Sequence, residues 1–321
     1  MSHGIQESTT SREYIVPACD SIRYHPFTPS RERTHEPVPV HMESTIFHPR
    51  LSTRNGLPLN VPVIMLHGIY GSRYNWDIFP QLIADHAQSI VHVVDMRNHG
   101  QSEKSSEMHY SDLAMDVDRY MQEHGLAKAV LVGHSMGAKA AMTMALHPNP
   151  QVQKRVHGLV ILDTPPRPIF VPDNFHNCDL ATRLIEQNDI RCMKEMNKAL
   201  ELIFPDQYLR DYFLQSCIPS PSTGRLGTGI NVDVMSSSFE HLADFPHPRL
   251  PYKEFYGKAT FMIGESSMIM RDQDTRLIPW FFPESKLITL DGGHWVHCQH
   301  PRLFISSVAE SCKNDAFVAK L

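Results

Sequence analysis

The sequence of 321 residues lacks the features of several protein classes. Its uninterrupted apolar runs are far shorter than the ~20 residues that a membrane-spanning helix needs, so no segment is expected to cross a membrane. Lysine and arginine form no basic stripe and the formal net charge is only −5, which argues against nucleic acid as a partner. The first residues have no apolar stretch typical of a secretory signal, and Glu7, Glu13 and Asp20 argue against a transit peptide.

Cysteine and histidine are also not arranged as in a metal site. The 6 cysteines are scattered without a C-x-x-C pair, as expected for reduced thiols of an intracellular protein. His294, His297 and His300 are evenly spaced, but the sequence contains no H-E-x-x-H motif and no carboxylates at ligand spacing beside them. We therefore expect no metal site.

The most informative stretch is G-H-S-M-G at residues 133–137. Residues 128–132 before it are short, apolar and rich in β-branched side chains, which predicts a buried strand. Residues 138–146 after it are mostly helix formers. A strand, a G-x-S-x-G turn and a helix form a nucleophile elbow, in which the serine has a strained backbone conformation. The glycines two residues before and two residues after it are needed because a Cβ at either position would clash. Ser135 is thus the predicted nucleophile, at a helix N-terminus that stabilises negative charge.

The order of predicted elements indicates an α/β fold. Strands and helices alternate up to residue 162, the pattern of a mostly parallel central sheet with helices on both faces. The alternation is then interrupted by helices, one of them predicted over residues 180–203, and resumes near residue 259. We expect a single domain over residues 1–321, with an extended lead-in at 1–45 and a helical lid insertion at 165–250.

A serine hydroxyl becomes a nucleophile only when a base takes its proton and a carboxylate orients that base. His294 follows the last predicted strand in a glycine-containing loop, so it is the predicted base. Two positions are open for the acid. Asp163 ends the strand after the elbow, whereas Asp272 and Asp274 follow the penultimate strand.

The oxyanion of an acyl-transfer intermediate needs two backbone N–H donors. One is expected from Met136, directly after the serine. The other is expected from Ile69, within the glycine-containing loop at residues 67–72 that follows the first strong strand. The polar stretch at residues 95–102 is interpreted as a hydrogen-bonded turn that supports the loops around the site.

These motifs resemble the α/β-hydrolase superfamily. More narrowly, they look like the esterase branch that contains the mitochondrial abhydrolase-domain proteins, bacterial esterases and the yeast ethanol acetyltransferases. The resemblance rests on residues 67–72, 97–100, 133–139 and 293–297. It implies that Asp163 is the acid and that Ser267 is an accessory residue near the site. The usual G-G-N-S around that serine is replaced here by G-E-S-S, so the role of Ser267 is open.

The sequence therefore predicts a serine hydrolase, an esterase or thioesterase that works through an acyl-enzyme without a cofactor. Its expected partner is a small-molecule substrate, a carboxylic ester or a thioester such as an acyl-CoA. One alternative is an acyltransferase, in which an alcohol takes the place of water. Another is a catalytically silent binding protein on the same scaffold, which the presence of every triad residue disfavours.

The last three residues, Ala319, Lys320 and Leu321, nearly match the S-K-L peroxisomal address. They predict the peroxisomal import receptor as a partner and a peroxisomal location, with the cytoplasm or mitochondria as alternatives. Peroxisomal hydrolases of this type resemble members of fungal secondary-metabolite clusters, which would place the protein in the biosynthesis of such metabolites, toxins included.

Overall fold

The computed structural model describes residues 36–50, 60–170, 173–245 and 254–313. Its strands are β1 (Ser44–Phe47), β2 (Val63–Leu66), β3 (Val91–Val94), β4 (Ala129–His134), β5 (Val156–Leu162), β6 (Ile218–Pro219), β7 (Leu226–Gly227), β8 (Lys258–Gly264) and β9 (Ser285–Leu290). Seven of these described strands form one sheet in the order β1-β3-β2-β4-β5-β8-β9, while β6 and β7 pair separately. All neighbours in the large sheet are parallel except β1, which runs antiparallel to β3 at the edge.

Helices cover both faces of the sheet. They are α1 (Phe79–Ala87), α2 (Tyr110–Glu123), α3 (Met136–Ala145), α4 (Pro150–Gln153), α5 (Asp173–Gln187), α6 (Met193–Leu200), α7 (Gln207–Ser216), α8 (Val232–Ser237), α9 (Phe239–Ala243), α10 (Asp274–Phe281), α11 (Val296–Gln299) and α12 (Pro301–Ser311). A short 3-10 helix, Arg73–Trp76, precedes α1. Helices α2 and α3 pack in one apolar core, and α1 and α12 pack in the other. In the described part of the chain, no helix has both the length and the apolar character needed to cross a membrane.

The middle of the sheet is buried on both sides because helices lie on each face. Every residue of β2 and of β4 is buried. Along β2, Ile64 and Leu66 contribute to one core, whereas Val63 and Met65 contribute to the other. Such continuous apolar strands are typical of a parallel sheet covered on both faces. The predicted fold class is therefore confirmed.

The insertion after β5 differs from its prediction in one respect. The single helix predicted over residues 180–203 is wrong, because the chain leaves the helical path between α5 and α6. The side chain of Asn188 donates to the carbonyl of Leu184 at 2.7 Å, and the carbonyl of Ile190 accepts from the amide of Leu226 at 2.8 Å. The break is thus stabilised by the β6–β7 hairpin, a contact between distant residues that helix propensity does not encode.

A buried ion pair ties the turn after β3 to α2 and to the segment before β1. Arg97 and Asp116 have fully buried side chains, and the guanidinium donates to both carboxylate oxygens at 2.6 and 2.7 Å. Arg97 also donates to the carbonyl of Val38, and Asp116 accepts from the amide of Val40. Burial raises the pKa of Asp116, while its bonds to Arg97 act in the opposite direction. The carboxylate therefore depends on Arg97 to remain charged.

We expect Arg97→Met to lower the free energy of unfolding by about 3–5 kcal/mol, because it leaves a buried carboxylate without its cation. Urea unfolding followed by circular dichroism measures this loss. The matched control is Arg50→Met, since the Arg50 side chain is 72% exposed beside Asp85. Exposed pairs contribute about 0–1 kcal/mol. Equal losses in the two variants would contradict a special role for the buried pair.

Candidate active site

Ser135 lies at the turn between β4 and α3. Its backbone has φ of 53° and ψ of −115°, a region that residues other than glycine rarely adopt. The residue is half-buried. The turn thus has the strained conformation expected of a nucleophile elbow and presents the serine at the N-terminus of a helix.

The two glycines of the motif permit a close backbone approach. A Cβ on Gly133 would lie 2.5 Å from Cα of Ala138. A Cβ on Gly137 would lie 2.2 Å from the carbonyl oxygen of Leu66. The amide of Gly137 also donates to the carbonyl of His67 at 3.1 Å. The predicted need for glycine on both sides of the serine is confirmed, because α3 starts directly against the end of β2.

The predicted base lies beside a buried carboxylate. Nδ1 of His294 is 2.8 Å from Oδ2 of Asp163, which is fully buried at the end of β5. The other oxygen of Asp163 accepts from the amide of Gly264 at 3.0 Å, and Oδ2 also accepts from the hydroxyl of Ser267 at 2.5 Å. With Nδ1 donating to the carboxylate, Nε2 of His294 is left as the basic nitrogen.

The structure separates the candidate acids. Asp274 is buried, and both of its oxygens accept from the guanidinium of Arg167, at 2.5 and 2.7 Å. Asp272 is exposed at the surface. The carboxylate that the structure brings to His294 is therefore that of Asp163.

Bonds on both sides of Ile69 hold the loop after β2. The carbonyl of Gly68 accepts from the amide of Gly71 at 3.1 Å and from Nδ1 of His67 at 2.8 Å. The carbonyl of Ile69 accepts from the hydroxyl of Tyr212, on α7, at 2.9 Å. Because a peptide unit is planar, a fixed Gly68 carbonyl also fixes the direction of the Ile69 N–H.

Two buried histidines connect this loop to the turn after β3. Nε2 of His67 accepts from the amide of Met96 at 3.0 Å, and Nε2 of His99 accepts from the amide of Tyr70 at 3.1 Å. Nδ1 of His99 donates to the carbonyl of Arg97. Burial lowers the pKa of both rings, so each is neutral and can donate and accept at once. The turn at residues 95–102 therefore supports the loop, as predicted.

The second expected oxyanion donor is the first amide of α3. The carbonyl of Ser135 accepts from the amide of Lys139 at 3.2 Å, which places the peptide unit before Met136 in the first helical turn. Amides in a first turn have no partner within their own helix. A Cβ on Gly68 would lie 3.3 Å from Cβ of Ser135, so the loop after β2 lies against the serine. Ile69 and Met136 thus belong to segments that meet at Ser135.

The other histidines near the site have separate surroundings. Nε2 of His134 donates to the carbonyl of His294 at 3.0 Å, and burial lowers the pKa of His134. His297 is buried, whereas Nε2 of His300 bonds to the carbonyl of Asp291 at 2.6 Å. Within the part of the chain that the structure describes, no group of three or more histidine, cysteine or acidic side chains is placed to hold a metal ion.

Several supporting residues have no signal in the sequence. Tyr212 lies in the lid, whose helices carry no motif, and it reaches the loop after β2 only through the tertiary fold. The hydrogen bonds by which the rings of His67 and His99 join the two turns could be predicted only if the contact between those turns were known. The histidine at residue 67 was visible as part of the His-Gly motif, but not its bonding.

We expect Gly137→Ala to lower the free energy of unfolding by about 3 kcal/mol or more, since overpacking forces the backbone apart. The added Cβ would meet the Leu66 carbonyl at 2.2 Å. Gly227→Ala is the matched control, because a Cβ there has no atom within 4 Å. Chemical unfolding measures both variants. If Gly137→Ala is as stable as the control, the proposed contact of α3 with β2 does not constrain the elbow.

Comparisons with known proteins agree with the fold. The family model described as alpha/beta hydrolase fold matches residues 61–196. Ethanol acetyltransferase 1 of Wickerhamomyces ciferrii is 26% identical over 310 residues, with 90% of this chain and 76% of that protein covered. The sn-1-specific diacylglycerol lipase ABHD11 of Mus musculus is 28% identical, with 77% of this chain and 79% of that protein covered. Among solved structures, a marine microorganism esterase is 27% identical with a TM-score of 0.70, covering 84% of this chain and 99% of its own.

Proposed function

We propose that this chain, which has the α/β-hydrolase fold and is similar to a lipase and to an esterase, is a serine esterase acting through an acyl-enzyme. Ser135 is the nucleophile, His294 the general base and Asp163 the acid that orients it. The observation that carries the proposal is the 2.8 Å contact of His294 with the buried Asp163 carboxylate. The strained backbone of Ser135, at the start of α3, supports it.

In the first half-reaction the hydroxyl of Ser135 attacks the ester carbonyl carbon while Nε2 of His294 takes its proton. The negative charge on the carbonyl oxygen is stabilised by the N–H groups of Ile69 and Met136. Asp163 stabilises the imidazolium that forms. Collapse of the intermediate breaks the carbonyl–oxygen bond, and His294 returns the proton to the leaving alcohol. Water then attacks the acyl-enzyme by the same steps.

Ser267 positions the acid in this mechanism. Its hydroxyl donates to Oδ2 of Asp163, the same oxygen that contacts His294. Ser267 is itself held, because its hydroxyl accepts from the amides of Ile269 and Met270. This network keeps the buried carboxylate aimed at Nδ1 of His294.

An acyltransferase is the second candidate function. It is favoured by the similarity to two relatives named ethanol acetyltransferase 1, from Wickerhamomyces ciferrii and Wickerhamomyces anomalus, each 26% identical. In that case an alcohol rather than water resolves the acyl-enzyme, with the same residues in the same roles. A silent binding protein has less support, because Ser135, His294 and Asp163 are all present and Asp163 bonds to His294.

We expect Asp163→Asn to lower kcat for p-nitrophenyl butyrate by about 10³–10⁴-fold, because an amide cannot hold the imidazole in its reactive tautomer. Asp272→Asn, an exposed carboxylate further along the chain, is the matched control and should keep wild-type kcat.

Ser135→Ala should abolish labelling by a fluorophosphonate probe. Persistent labelling of that variant would exclude Ser135 as the nucleophile.

The same assay separates the two functions when it is run with and without ethanol. A hydrolase releases butyrate in both conditions, whereas a transferase releases ethyl butyrate when ethanol is present. Product analysis by gas chromatography distinguishes them.

The peroxisomal location stays a prediction, since Ala319, Lys320 and Leu321 lie outside the residues that the structure describes. A role in fungal secondary metabolism rests on that location and is likewise a prediction. Deletion of the three residues should move a fluorescently tagged protein from peroxisomes to the cytosol, as seen by microscopy. Unchanged peroxisomal puncta would exclude the tripeptide as the address.

A further inference from the structure

The loop after β2 has a strained backbone directly beside Ile69, the expected oxyanion donor. Tyr70, the next residue, has a φ of 58°, a left-handed conformation that residues other than glycine uncommonly adopt. Such a conformation persists only where the surrounding structure holds it. The N–H of Ile69 has to point at the oxyanion during the reaction. Whatever holds this strained turn therefore also holds the donor.

The peptide unit between Ile69 and Tyr70 is held by side chains at both of its polar atoms. Its carbonyl accepts from the hydroxyl of Tyr212 at 2.9 Å, and its amide donates to Nε2 of His99 at 3.1 Å. The peptide unit before Ile69 is fixed through the carbonyl of Gly68, as described above. Ile69 thus lies between two fixed peptide planes, and one of the bonds that fix them comes from the lid.

The loop is shaped to receive the hydroxyl of Tyr212. A Cβ on Gly71 would lie 2.3 Å from this hydroxyl oxygen, which is closer than its next neighbour, Oδ1 of Asn75 at 2.8 Å. A Cβ on Gly68 would lie 3.2 Å from the same hydroxyl oxygen. The two glycines therefore leave the space that the hydroxyl occupies, and the loop and the lid tyrosine pack as one unit.

Tyr212 is itself anchored to the core of the protein. Its backbone carbonyl accepts from Nδ2 of Asn75 at 2.8 Å. The ring of Phe213, the next residue on α7, stacks on the ring of Tyr70 with the centroids 6.2 Å apart. Burial raises the pKa of Tyr212 well above its usual value, so the hydroxyl keeps the proton that it donates. The lid thus presents a fixed donor to the loop.

We propose that Tyr212 is a positioning residue of the esterase, whose hydroxyl holds the peptide unit after Ile69 so that the N–H of Ile69 points at the oxyanion. This inference rests on the proposed function and deepens it, because it makes the lid part of the oxyanion geometry.

A competing role for Tyr212 is direct contact with the substrate. Tyr212 borders a cavity of about 580 Å³ that adjoins His294. The leaving group must lie beside the general acid, which supplies its proton, so this cavity is placed to receive the alcohol half of an ester. The experiment has to distinguish a hydroxyl that holds the loop from one that contacts the alcohol.

Tyr212→Phe removes the hydroxyl and keeps the ring. We expect kcat for ethyl butyrate to fall about tenfold with KM unchanged, because a misdirected donor weakens stabilisation of the transition state but not binding of the ester. The loss is smaller than the ~10²–10³-fold cost of removing an oxyanion donor, since the N–H of Ile69 is still present. Tyr256→Phe is the matched control, because Tyr256 is 67% exposed before β8 and should keep wild-type kcat.

Two readouts on Tyr212→Phe identify the half of the substrate that is affected. Its kcat/KM should fall by the same factor for ethyl and butyl butyrate, because the oxyanion forms on the acyl half that the two esters share. A trifluoromethyl ketone with a propyl chain has no alcohol half. Ser135 adds to its carbonyl carbon, the serine proton passes to His294 and the carbonyl oxygen becomes an oxyanion. The inhibition constant of this ketone should rise by the factor by which kcat falls.

Gly71→Ala tests the same contact from the side of the loop. Its Cβ has to displace the hydroxyl of Tyr212, so the variant should also have a lower kcat and bind the ketone more weakly. Added to Tyr212→Phe, it should cost less than in the wild type, because the nearest clash is gone. Gly227→Ala is the control, since a Cβ there has no atom within 4 Å. Thermal unfolding establishes that each variant is folded.

The outcomes separate this inference from the function on which it rests. Suppose that fluorophosphonate labels the wild type and both esters are hydrolysed. If Tyr212→Phe then keeps wild-type kcat, or loses activity towards one ester only, the positioning role is wrong and the esterase function stands. A lower kcat with an unchanged inhibition constant of the ketone overturns the role in the same way. If the wild type neither reacts with the probe nor hydrolyses either ester, the esterase function itself fails.

Discussion

The contact between the start of α3 and the end of β2 is the constraint on which the rest of the site depends. Without a Cβ on Gly137, the helix can begin against the carbonyl of Leu66, and its second amide bonds to His67. That approach forces the preceding serine into a strained conformation and leaves the first amide of the helix beside it. It also brings the loop after β2 against Ser135, so both proposed oxyanion donors follow from one backbone contact.

The contact between Asp163 and His294 is assembled at the same edge of the sheet by a second close approach of the backbone. A Cβ on Gly264 would lie 2.4 Å from the carbonyl oxygen of Gly293, so the ends of β8 and of the loop after β9 touch. The amide of Gly264 bonds to Asp163, and His294 directly follows Gly293. A fully buried carboxylate is costly unless it is bonded on all sides, and this arrangement supplies those bonds.

The lid also holds the loop after β2 in place. Helix α7 fixes the loop after β2 through Tyr212 and forms one wall of the cavity beside His294. Asn75, in the 3-10 helix, donates to the carbonyl of Tyr212 at 2.8 Å, which joins the lid to the core. The same lid helix therefore holds the loop that contains Ile69 and lines the cavity beside His294, so a change in the lid would affect both.

The sequence alone determined the fold class, the elbow and the candidates Ser135, Met136, Ile69 and His294, because each belongs to a local pattern of strand, turn and helix. The position of the strands left the acid open among Asp163, Asp272 and Asp274, and the family resemblance favoured Asp163. Only the tertiary structure brings that carboxylate to His294. The break between α5 and α6 and the bond of Tyr212 to the loop after β2 were likewise decided in three dimensions. These features depend on contacts between residues far apart in the chain, and local propensity and periodicity do not encode such contacts.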